Sequence, residues 1–434
     1  MKKVIAAVLA VFGANAAVWA DVSVYDVKFQ PRTPWNGLVD ISYSVACDNP
    51  NADVYVTPTA YDGDRRITLF PKTLSGDGAE AAVKPGKHTM TWDAKKDLGI
   101  FSSANFSIKM HAGERLPRYV VIDLSSGAES TEYPIRFSVV GPDLSNDICR
   151  TTELWLRLVP PGEFWMGSPT DELGRTDNED LHHVTLTKPF YMGVFEVTQK
   201  QWELVEGDVP AYFKDSANAS VRPVECVAGK IRGAGRSYSP TAIDIDADSF
   251  CGRMRSRTML SQLNLPSEAR WEYACRAGTM TALNNNRNLL SAVADEGLSK
   301  IAGYKANCYN NQSYSSSSVL VGTMKVGSFE PNALGLYDTL GNVWERCLDT
   351  YYYYCNGYGW ENAHLGCDEK IDPAVQTESY ASWNDRYFFE MNMMVRGGCW
   401  RSSADALRAA RRYGFGRDST DNHVGFRVCS EVGF

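Results

Sequence analysis

The sequence predicts a two-domain protein in which an N-terminal all-β sandwich precedes an α+β domain with little regular secondary structure. Aromatic residues make up 12% of the chain, which also contains 35 glycines, and this mix favours short strands and turns over a helical bundle. From residue 21 to about 145, apolar and polar residues alternate with a period of two, as they do in half-buried strands. From Leu154 onward, two amphipathic helices stand in a background of loops and short strands.

Length and charge limit the classes of function. A chain of 434 residues is long enough for two or three domains. Acidic residues number 52 and basic residues 44, and no run of five or more basic residues occurs, so nucleic acid is not an expected partner. Hydrophobic residues at 44% and charged residues at 22% exclude wholesale disorder.

The first twenty residues have the pattern of a secretory signal peptide. Lys2 and Lys3 precede an apolar run from Val4 to Phe12, and small residues end at Ala20, after which we expect cleavage. An uncleaved anchor is the alternative, but the apolar run is too short to span a bilayer. No later segment reaches about 18 consecutive apolar residues, so membrane insertion is not expected. The sequence therefore predicts an exported protein, periplasmic or extracellular.

The chain contains eleven cysteines. None forms a C-x-x-C pair, and the six histidines include no H-E-x-x-H motif, so sequence spacing does not predict a zinc site. In an oxidising compartment the expected state of most of these cysteines is a structural disulfide. Because eleven is an odd number, at least one thiol stays free or pairs with another chain.

Residues 21–145 are predicted to fold as an antiparallel, immunoglobulin-like β-sandwich. Apolar residues recur at every second position, and turn residues such as Pro85-Gly86 separate the runs. The residues expected on shared strand faces are Val39, Ile41, Tyr43 and Val45 on one strand, and His88, Met90 and Trp92 on another. No cluster of titratable side chains suggests chemistry here, so we interpret the domain as a spacer or docking module.

The second domain, residues 152–434, is predicted to follow a short linker and to contain two helices. Thr198 and Gln201 form a capping box at the start of the first helix. Ser267 is the predicted N-cap of the second helix, and Gly278 is placed to end it. Long irregular stretches lie between and after the helices, so we expect a mixed fold held together by disulfides.

Seven motifs occur in order along the second domain and together carry a resemblance. They are Phe164-Trp165-Met166-Gly167-Ser168, Phe195-Glu196-Val197-Thr198, Leu265-Pro266-Ser267-Glu268-Ala269-Arg270-Trp271-Glu272-Tyr273, Gly335-Leu336-Tyr337-Asp338-Thr339-Leu340-Gly341-Asn342-Val343-Trp344-Glu345, Arg396-Gly397-Gly398, Arg408-Ala409-Ala410-Arg411 and Gly425-Phe426-Arg427-Val428. Over roughly residues 154–430 the chain resembles the formylglycine-generating enzyme (sulfatase-modifying factor) family. The resemblance implies a C-type-lectin-like fold with little regular secondary structure, which agrees with the loop-rich pattern.

The founding activity of that family is oxidation of a sulfatase cysteine to formylglycine with oxygen and copper. The resemblance implies two cysteines between the Arg-Gly-Gly turn and the Ala-Ala-Arg segment, because two thiolates hold Cu(I) and one forms a mixed disulfide with the substrate. In this stretch the chain has Cys399, where the family usually has serine, and Ser402 falls about where the first catalytic cysteine would lie. One thiol cannot form a two-thiolate site, so copper is not expected and Cys399 is the single catalytic candidate.

Cys399 has a functional and a structural interpretation. As a functional residue it would be a lone nucleophile or a relocated metal ligand. As a structural residue it would pair with Cys275, because the resemblance implies a bond between the second helix and the C-terminal region; Cys251 and Cys429 would form another bond. We favour the structural interpretation, since disulfides are the usual state of exported thiols.

The resemblance also implies a calcium site in the turn at residues 338–345. Its ligands would be the side chains of Asp338 and Glu345 and the backbone carbonyls of Gly341 and Val343, which are hard oxygen donors that suit Ca²⁺. We expect this calcium to be structural. The alternative is a turn without an ion, in which Asp338 caps backbone groups.

Two other groups of residues are weaker metal candidates. A second calcium site implied by the resemblance would start at Asn307 with the carbonyl of Cys308, but its acidic partner is replaced near Ser318, and we do not expect it. His182 and His183 are adjacent on a predicted strand and point to opposite faces, so they cannot easily share an ion. We interpret both histidines as surface or hydrogen-bonding residues.

The leading functional hypothesis is a non-catalytic ligand- or protein-binding module. Its ligand would be a protein, a peptide or a glycan, recognised by variable polar and aromatic loops on a rigid scaffold. The candidate ligand-binding residues are Trp400, Arg401, Ser402, Asp405 and Tyr413, within the segments 400–405 and 413–421. The aromatic residues from Tyr351 to Tyr354, with Tyr358 and Trp360, either extend this face as a stacking platform or fill the core.

Two alternatives from other functional classes stay open. The first is an oxidase that converts a sulfatase cysteine to formylglycine with an altered site, in which case a sulfatase is the partner. The second is a structural, surface-assembly protein whose sandwich docks to partners. In all three cases we interpret Arg396, Arg408 and Arg411 as ion-pair partners of nearby acids.

Overall fold

The computed structural model describes residues 22–99, 101–114, 116–216, 218–233, 245–258, 260–308, 322–351, 370–371 and 392–432. The predicted signal peptide lies outside these ranges, as do Cys355, Cys367, the aromatic residues from Tyr352 to Trp360, and Ser318 of the second calcium site. No helix within the described ranges combines the length and the apolar character needed to cross a membrane.

Two antiparallel sheets make up the N-terminal region. Their strands are β1 (Ser23–Pro31), β2 (Leu38–Ala46), β3 (Tyr55–Asp62), β4 (Ile67–Leu69), β5 (Leu74–Gly76), β6 (Gly86–Asp93) and, after the short helix α1 (Ala94–Leu98), β7 (Phe106–Gly113). One sheet has the order β1-β2-β6-β5 and the other β4-β3-β7. Val39, Ile41, Tyr43 and Val45 of β2 are buried in a cluster that also contains residues of β3, β4 and β6. The period of two therefore identified the inward face of this strand correctly.

Short strands and helices, separated by long irregular stretches, make up the rest of the described chain. In order they are β8 (Tyr119–Asp123), β9 (Ile135–Ser138), α2 (Ile148–Thr151), β10 (Glu153–Val159), β11 (Gly162–Met166), β12 (His182–Leu186), β13 (Phe190–Gly193), α3 (Gln199–Glu206), α4 (Phe250–Arg257), β14 (Leu263–Asn264), α5 (Glu268–Arg276), α6 (Lys305–Cys308), β15 (Trp344–Thr350), β16 (Lys370–Ile371), β17 (Asn392–Arg396), β18 (Arg412–Gly416), β19 (Val424–Gly425) and β20 (Cys429–Glu431). Short 3₁₀ helices span Ala219–Val221, Ala228–Lys230, Leu298–Lys300 and Ala404–Ala406. The sheets have the orders β14-β20-β13-β10-β8-β9, β11-β12-β16 and β18-β17-β15-β19.

The six-stranded sheet separates two apolar cores. On β13, Phe190 and Met192 belong to one cluster, which we call the main core, and Tyr191 belongs to the other. Trp271 of α5 lies in the main core, and Trp202 of α3 lies in the second cluster. Each helix therefore covers one face of the same sheet, because side chains alternate across it.

The boundary between the two regions lies earlier than the sequence predicted. Strands β8 and β9 are hydrogen-bonded into the six-stranded sheet, where Tyr119 of β8 pairs with Arg157 of β10. A boundary at residue 145 would cut through this sheet, so the N-terminal sheets end with β7. Strand β8 is a continuous apolar run buried on both faces, and such a run does not show which sheet a strand joins.

The two predicted helices form with the predicted caps. Thr198 Oγ1 accepts a hydrogen bond from the Gln201 backbone N at 3.2 Å, and Gln201 Oε1 accepts one from the Thr198 backbone N at 3.0 Å, which completes the capping box. Ser267 caps α5 through its Oγ, which accepts a hydrogen bond from the Arg270 backbone N at 3.3 Å. The helix α5 ends one residue earlier than expected, since Ala277, with φ of +46°, is already left-handed before Gly278.

Strands β4 and β11 join the N-terminal sheets to the C-terminal domain. The Glu163 backbone N donates to Thr68 Oγ1 at 2.9 Å, and Tyr61 donates through its hydroxyl to Glu163 at 3.1 Å. A Cβ atom on Gly162 would lie 2.2 Å from the Tyr273 hydroxyl and 2.3 Å from Thr68 Oγ1, so glycine permits this close approach. The N-terminal sheets are therefore packed directly against α5 and the main core.

Candidate functional site

The four-stranded sheet β18-β17-β15-β19 forms the base of the candidate site. Side chains alternate between its two faces. One face borders a small buried cluster made of Cys308, Trp344, Val395, Cys399, Trp400 and Val424, which we call the cysteine cluster. The opposite face contributes Met394 and Cys347 to the main core. The sheet thus holds the candidate segments on one side and anchors them to the core on the other.

Buried ion pairs fix this sheet to helix α5. Arg396 of β17 is fully buried, forms an ion pair with Glu272, and donates to the carbonyl of Ala410 at 2.8 Å. Arg412 of β18 donates to Glu268 at 2.7 Å. The expected ion pair of Arg396 is therefore confirmed. Arg411 has no ion pair with a residue that the structure describes, and its Nε is buried without a hydrogen-bond partner there, so the described residues do not supply its predicted ion pair.

The turn at residues 338–345 lies against a buried concentration of negative charge. Asp338, Glu345 and Glu196 are each at most 3% exposed. Arg427 donates to both oxygens of Glu345, at 2.5 and 2.6 Å, and Trp271 Nε1 donates to the same carboxylate at 2.8 Å. The motifs that contain Glu196, Glu345 and Arg427 are thus joined in a single polar network inside the protein.

The protonation of these carboxyl groups is strongly affected by burial. Burial raises the pKa of Asp338 to about 6. The pKa of Glu196 is raised well above its ordinary value, first by burial and then by repulsion from Asp338 and Glu345. The arrangement therefore favours either bound protons or a nearby cation.

The predicted calcium ligands lie beside this network. Asp338 accepts a hydrogen bond from the Gly327 backbone N at 2.6 Å, and Gly341 donates its backbone N–H to the Gly397 carbonyl at 2.9 Å. The backbone N of Val343 donates to Glu196 at 3.1 Å. Within the described ranges, no group of three or more His, Cys, Asp or Glu side chains is arranged to hold a metal ion. The calcium site stays a prediction.

A glycine turn after β17 carries Cys399 into the protein. Gly397 and Gly398 have φ of +94° and +79°, and a Cβ on Gly398 would lie 2.8 Å from the Ala406 carbonyl, so this turn requires glycine. Cys399 is 1% exposed, and its Sγ lies 3.2 Å from Ser402 Oγ. Burial raises the pKa of the Cys399 thiol. Cys399 is therefore a neutral, enclosed thiol.

Aromatic side chains line the outer side of the cysteine cluster. Tyr413 is 44% exposed and stacks on Trp344 with 5.5 Å between the ring centroids. Phe415 follows two residues later on the same face of β18, and Trp400 packs edge-on against Phe213 at 5.8 Å. We call Trp344, Trp400, Tyr413 and Phe415, together with Arg401, the aromatic face.

Arg401 is held at the edge of the aromatic face by two partners. One of its terminal nitrogens lies 3.0 Å from His423 Nε2 and 3.6 Å from an Asp421 carboxylate oxygen. Burial lowers the pKa of His423, and Asp421 lies against its Nδ1, so the neutral ring accepts from Arg401 through Nε2. Phe415 contacts the His423 ring at 5.5 Å. The guanidinium is thus preset in position while its side chain stays 48% exposed.

The structure brings some predicted ligand-binding residues together and separates another. Ser402 lies beneath the aromatic face, where its carbonyl accepts from the Lys305 backbone N at 3.0 Å. Asp405 accepts from Ser403 Oγ, and its backbone N bonds to the Ala292 carbonyl at 3.0 Å. A Cβ on Gly174 would lie 2.7 Å from Asp405 Cβ. Asp405 therefore packs against the loop between β11 and β12 rather than joining Arg401 and Tyr413.

The remaining charged candidates have structural partners. Arg408 is fully buried and donates to Glu172 and Glu179 at 2.7 Å each, which confirms its predicted ion pairs. His182 and His183 are 5% and 3% exposed, so their predicted surface position is wrong. Their hydrogen-bonding role is confirmed, since His182 Nδ1 lies 2.8 Å from the Asp180 carbonyl and His183 Nε2 3.1 Å from that of Arg66.

The nine cysteines that the structure describes are free thiols, so the two predicted disulfides are absent. Cys275 lies in the main core, 3.8 Å from the Thr339 carbonyl, whereas Cys399 lies in the cysteine cluster. Cys251 and Cys429 belong to the two cores on opposite sides of the six-stranded sheet. Both predicted pairs therefore join cysteines that the fold places in different parts of the interior.

Sequence reasoning missed three residues beside the aromatic face. Cys308 shares the cysteine cluster with Cys399, although the sequence separates them by ninety residues. His423 orients Arg401, and Tyr212, 69% exposed, contacts Phe213 next to Trp400. No local pattern marks these residues, because their role depends on contacts between distant segments.

A model of the sulfatase-modifying factor enzyme 1-like domain matches residues 146–432. The formylglycine-generating enzyme of Mus musculus is 30% identical over 173 residues, which cover 38% of this chain and 39% of that protein. The inactive C-alpha-formylglycine-generating enzyme 2 of Mus musculus is 24% identical over 321 residues, with 63% of this chain and 85% of that protein covered.

Similarity also extends to proteins of other names. The serine/threonine-protein kinase Pkn1 of Chlamydia trachomatis is 26% identical over 278 residues, which cover 62% of this chain and 37% of the kinase. The chain thus spans less than two-fifths of the length of that relative. Among solved structures, Treponema denticola variable protein 1 superposes with a TM-score of 0.46 at 21% identity, covering 65% of this chain and 96% of that one.

Proposed function

The chain belongs to the sulfatase-modifying factor enzyme 1-like family, and we propose that it acts as a ligand- or protein-binding module of that family. The observation that carries this proposal is the aromatic face, in which exposed Tyr413 is stacked on Trp344 beside the preset guanidinium of Arg401. A rigid ring next to a fixed donor loses little conformational freedom on binding, which favours recognition.

The same segment lacks the thiols that the family's oxidation needs. Between Arg396 and Arg408, Cys399 is the single cysteine of the sequence, and Ser402 occupies the expected position of the first catalytic cysteine. The Cys399 thiol is enclosed against Ser402 rather than directed to solvent. A substrate thiol therefore has no exposed partner here for a mixed disulfide, so we rank formylglycine formation below binding.

The chemistry of the aromatic face limits its ligand. Tyr413 offers a ring for stacking against an apolar or sugar surface, and Arg401 offers donors to a carboxylate, carbonyl or hydroxyl oxygen. Exposed Tyr212 lies next to Phe213 and extends the aromatic surface past Trp400. We propose a protein, a peptide or a glycan as the ligand, in an exported, periplasmic or extracellular setting.

Substitution of the exposed ring and the preset cation tests the binding function. Printed glycan and peptide arrays would be probed with the full chain, and the strongest array ligand would then be titrated against Tyr413→Ala and Arg401→Ala. We expect each variant to bind at least tenfold more weakly, about 1.4 kcal/mol, because central aromatic and arginine contacts dominate interfaces. The matched control is Tyr25→Ala, which removes a tyrosine that is 50% exposed on β1.

Two results would contradict this function. Unchanged affinity in both variants, with melting temperatures equal to that of the wild type, would show that the ligand binds elsewhere. Formylglycine in the active-site peptide of a co-expressed sulfatase, detected by mass spectrometry, would establish the oxidase alternative.

A structural calcium ion at Asp338, Gly341, Val343 and Glu345 is a second proposal. Its support is the burial of Asp338 and Glu345 beside Glu196, an excess of negative charge that a cation would relieve. Both oxygens of Glu345 already accept from Arg427, so these four residues do not converge on a free centre as arranged. A bound ion would have to share that carboxylate with the guanidinium.

Removal of calcium tests this second proposal. We expect excess chelator to lower the melting temperature by several degrees, because a ligand that binds the folded state stabilises it. The Asp338→Asn variant is expected to respond less, whereas Asp177→Asn, at a fully exposed carboxylate, is expected to respond as the wild type does. An identical melting curve with and without chelator would exclude the ion.

The role of the N-terminal sheets is a further part of the proposal. Their seven strands in two antiparallel sheets support an immunoglobulin-like sandwich that presents or docks the C-terminal domain. The surface-assembly alternative assigns the main function to this sandwich.

A further inference from the structure

Cys308 and Cys399 are the two thiols of the cysteine cluster, and each is 1% exposed. Cys308 ends helix α6, and Cys399 begins the turn that carries Trp400 and Arg401. They come from segments about ninety residues apart in the sequence, yet they pack with the same residues of β15, β17 and β19.

A backbone hydrogen bond joins the segment that contains Cys308 to the segment that contains Cys399. The Lys305 N donates to the Ser402 carbonyl at 3.0 Å. Cys308 lies three residues after Lys305 in α6, and residues i and i+3 of a helix are neighbours on one face. Cys399 lies three residues before Ser402, whose backbone N returns to the Cys399 carbonyl at 2.9 Å and closes a turn. Each cysteine is therefore adjacent to the same backbone contact.

Asn342 provides a second backbone connection between the segment of Cys308 and the segment of Cys399. The Asn342 N donates to the Gly303 carbonyl, and the Asn342 carbonyl accepts from the Trp400 N, both at 2.8 Å. A Cβ on Gly303 would lie 3.0 Å from Cys308 Sγ, so that sulfur lies beside this link. The residue that bonds to Gly303, Asn342, is also the residue that bonds to Trp400, next to Cys399.

The surroundings of the two sulfurs suit a covalent bond. Both thiols lie in an apolar cluster, and a disulfide between them would place no charge there.

We propose that Cys308 and Cys399 form an oxidisable dithiol whose disulfide ties helix α6 to the turn beneath the aromatic face. In the reaction the two S–H bonds break and one S–S bond forms. The two electrons and two protons pass to a disulfide oxidant such as glutathione disulfide, which becomes two molecules of glutathione. Because both thiols are enclosed, exchange requires local opening and is expected to take minutes to hours.

The disulfide itself does not depend on the proposed function, but its consequence does. Trp400 and Arg401 lie between Cys399 and Ser402, so a bond from Cys399 to α6 restricts the turn that presents both side chains. If the aromatic face binds a ligand, the oxidised form is expected to bind it at least threefold more tightly, because a preset site loses less freedom on binding.

Peptide mapping of the folded full-length chain tests the pair directly. The protein would be incubated with glutathione disulfide, denatured with an alkylating reagent and digested without reduction. We expect a cross-linked peptide that joins Cys308 to Cys399 and is lighter than the two thiol peptides by two hydrogens. Alkylation of both cysteines after oxidation, or a bond from either to Cys355 or Cys367, would overturn the proposal.

Thermal stability gives a second readout of the same bond. We expect the oxidised form to melt about 5 °C or more above the reduced form, since the bond closes a long loop. Cys308→Ser should abolish this difference, and the control Cys149→Ser, at a buried thiol of another cluster, should retain it. If protein in which mapping has shown the disulfide melts at the same temperature as the reduced protein, the bond does not restrain the fold. If mapping finds the bond but no array ligand binds either form, the binding function fails while the disulfide stands.

Discussion

Replacement of Arg427 by methionine is expected to destabilise the protein by about 3–5 kcal/mol or to prevent folding. Arg427 is fully buried and bonds to both oxygens of Glu345, and it also donates to the carbonyls of Gly193 and Tyr337 at 2.9 Å each. Methionine fills part of the volume but removes the positive charge beside the carboxylate, which keeps, among the described residues, only its hydrogen bond from Trp271, and removes the arginine donor from both carbonyls. An uncompensated charge in the interior is far more costly than the loss of an exposed ion pair.

The cost is increased by the carboxyl groups that surround Glu345. Glu196 and Asp338 are buried beside it, and both already have raised pKa values because of burial. Without the arginine, repulsion among the three groups would be relieved mainly by proton uptake. Arg427 therefore determines whether three family motifs can be packed together.

Denaturant unfolding of Arg427→Met beside Arg417→Met measures this effect. Arg417 forms an exposed pair with Asp418 at 3.3 Å, so its replacement is expected to change the free energy of unfolding by no more than about 0.5 kcal/mol. The double variant Arg427→Met with Glu345→Gln is expected to recover part of the loss, because it also removes the orphaned charge. Equal losses for Arg427→Met and Arg417→Met would show that the buried pair is not needed.

The sequence predicted the local structure around the two main helices well. The Thr198–Gln201 capping box and the Ser267 cap depend on residues three positions apart, so a short window contains the whole signal. The inward face of β2 was equally predictable, since the alternation of apolar and polar residues can be recognised from neighbouring residues alone. The ordered motifs likewise identified the family that the domain match shows.

Features that depend on long-range contacts were not predictable in this way. Strand β8 is a continuous apolar run that pairs with β10, and this pairing moves the boundary of the N-terminal sheets. The cysteine pairs inferred from the resemblance were wrong because the fold separates Cys275 from Cys399, and it places Cys308 in the same cluster as Cys399. The spacing of residues along the sequence does not indicate which distant segments lie close together in the fold.

The candidate site shows the same division. Asp405 packs against the loop between β11 and β12, although it is only four residues from Arg401. The turn closed by the Ser402 backbone N and the Cys399 carbonyl, followed by the 3₁₀ helix Ala404–Ala406, lies between the two positions. The sequence did not indicate His423, the residue that orients Arg401, because it lies in the turn before β19, more than twenty residues further along the chain.

Replacement of Arg408 by methionine is expected to release the loop between β11 and β12 and to cost about 3–5 kcal/mol of stability. Its guanidinium binds Glu172 and both oxygens of Glu179, and its Nε donates to the Asp405 carbonyl at 2.9 Å. Burial acts to raise the pKa of Glu179, but the pair with Arg408 outweighs it and holds that pKa below its ordinary value. Burial dominates at Glu172, whose pKa is raised.

The expected pH dependence follows from the sign of these shifts. In the wild type, the lowered pKa of Glu179 contributes stability above the ordinary carboxyl pKa, and this contribution is lost as the pH falls through the lowered value. In Arg408→Met the carboxyl pKa values are expected to rise, so the folded variant takes up protons and is relatively more stable in acid. The difference in unfolding free energy between wild type and variant should therefore be larger at pH 8 than at pH 5.

Limited proteolysis distinguishes local release of the loop from global unfolding. Arg175 lies in the loop with a side chain that is 18% exposed, and we expect trypsin to cleave after it at least tenfold faster in Arg408→Met. Arg408→Lys keeps the positive charge but loses the bidentate contact, so its cleavage rate after Arg175 should lie between those of the wild type and Arg408→Met. Uniform acceleration of cleavage at all sites would mean that the whole domain unfolds. An unchanged rate at Arg175 would show that the loop is held without Arg408, in which case its contacts with Ser168 and Thr176 through Glu179 would be sufficient.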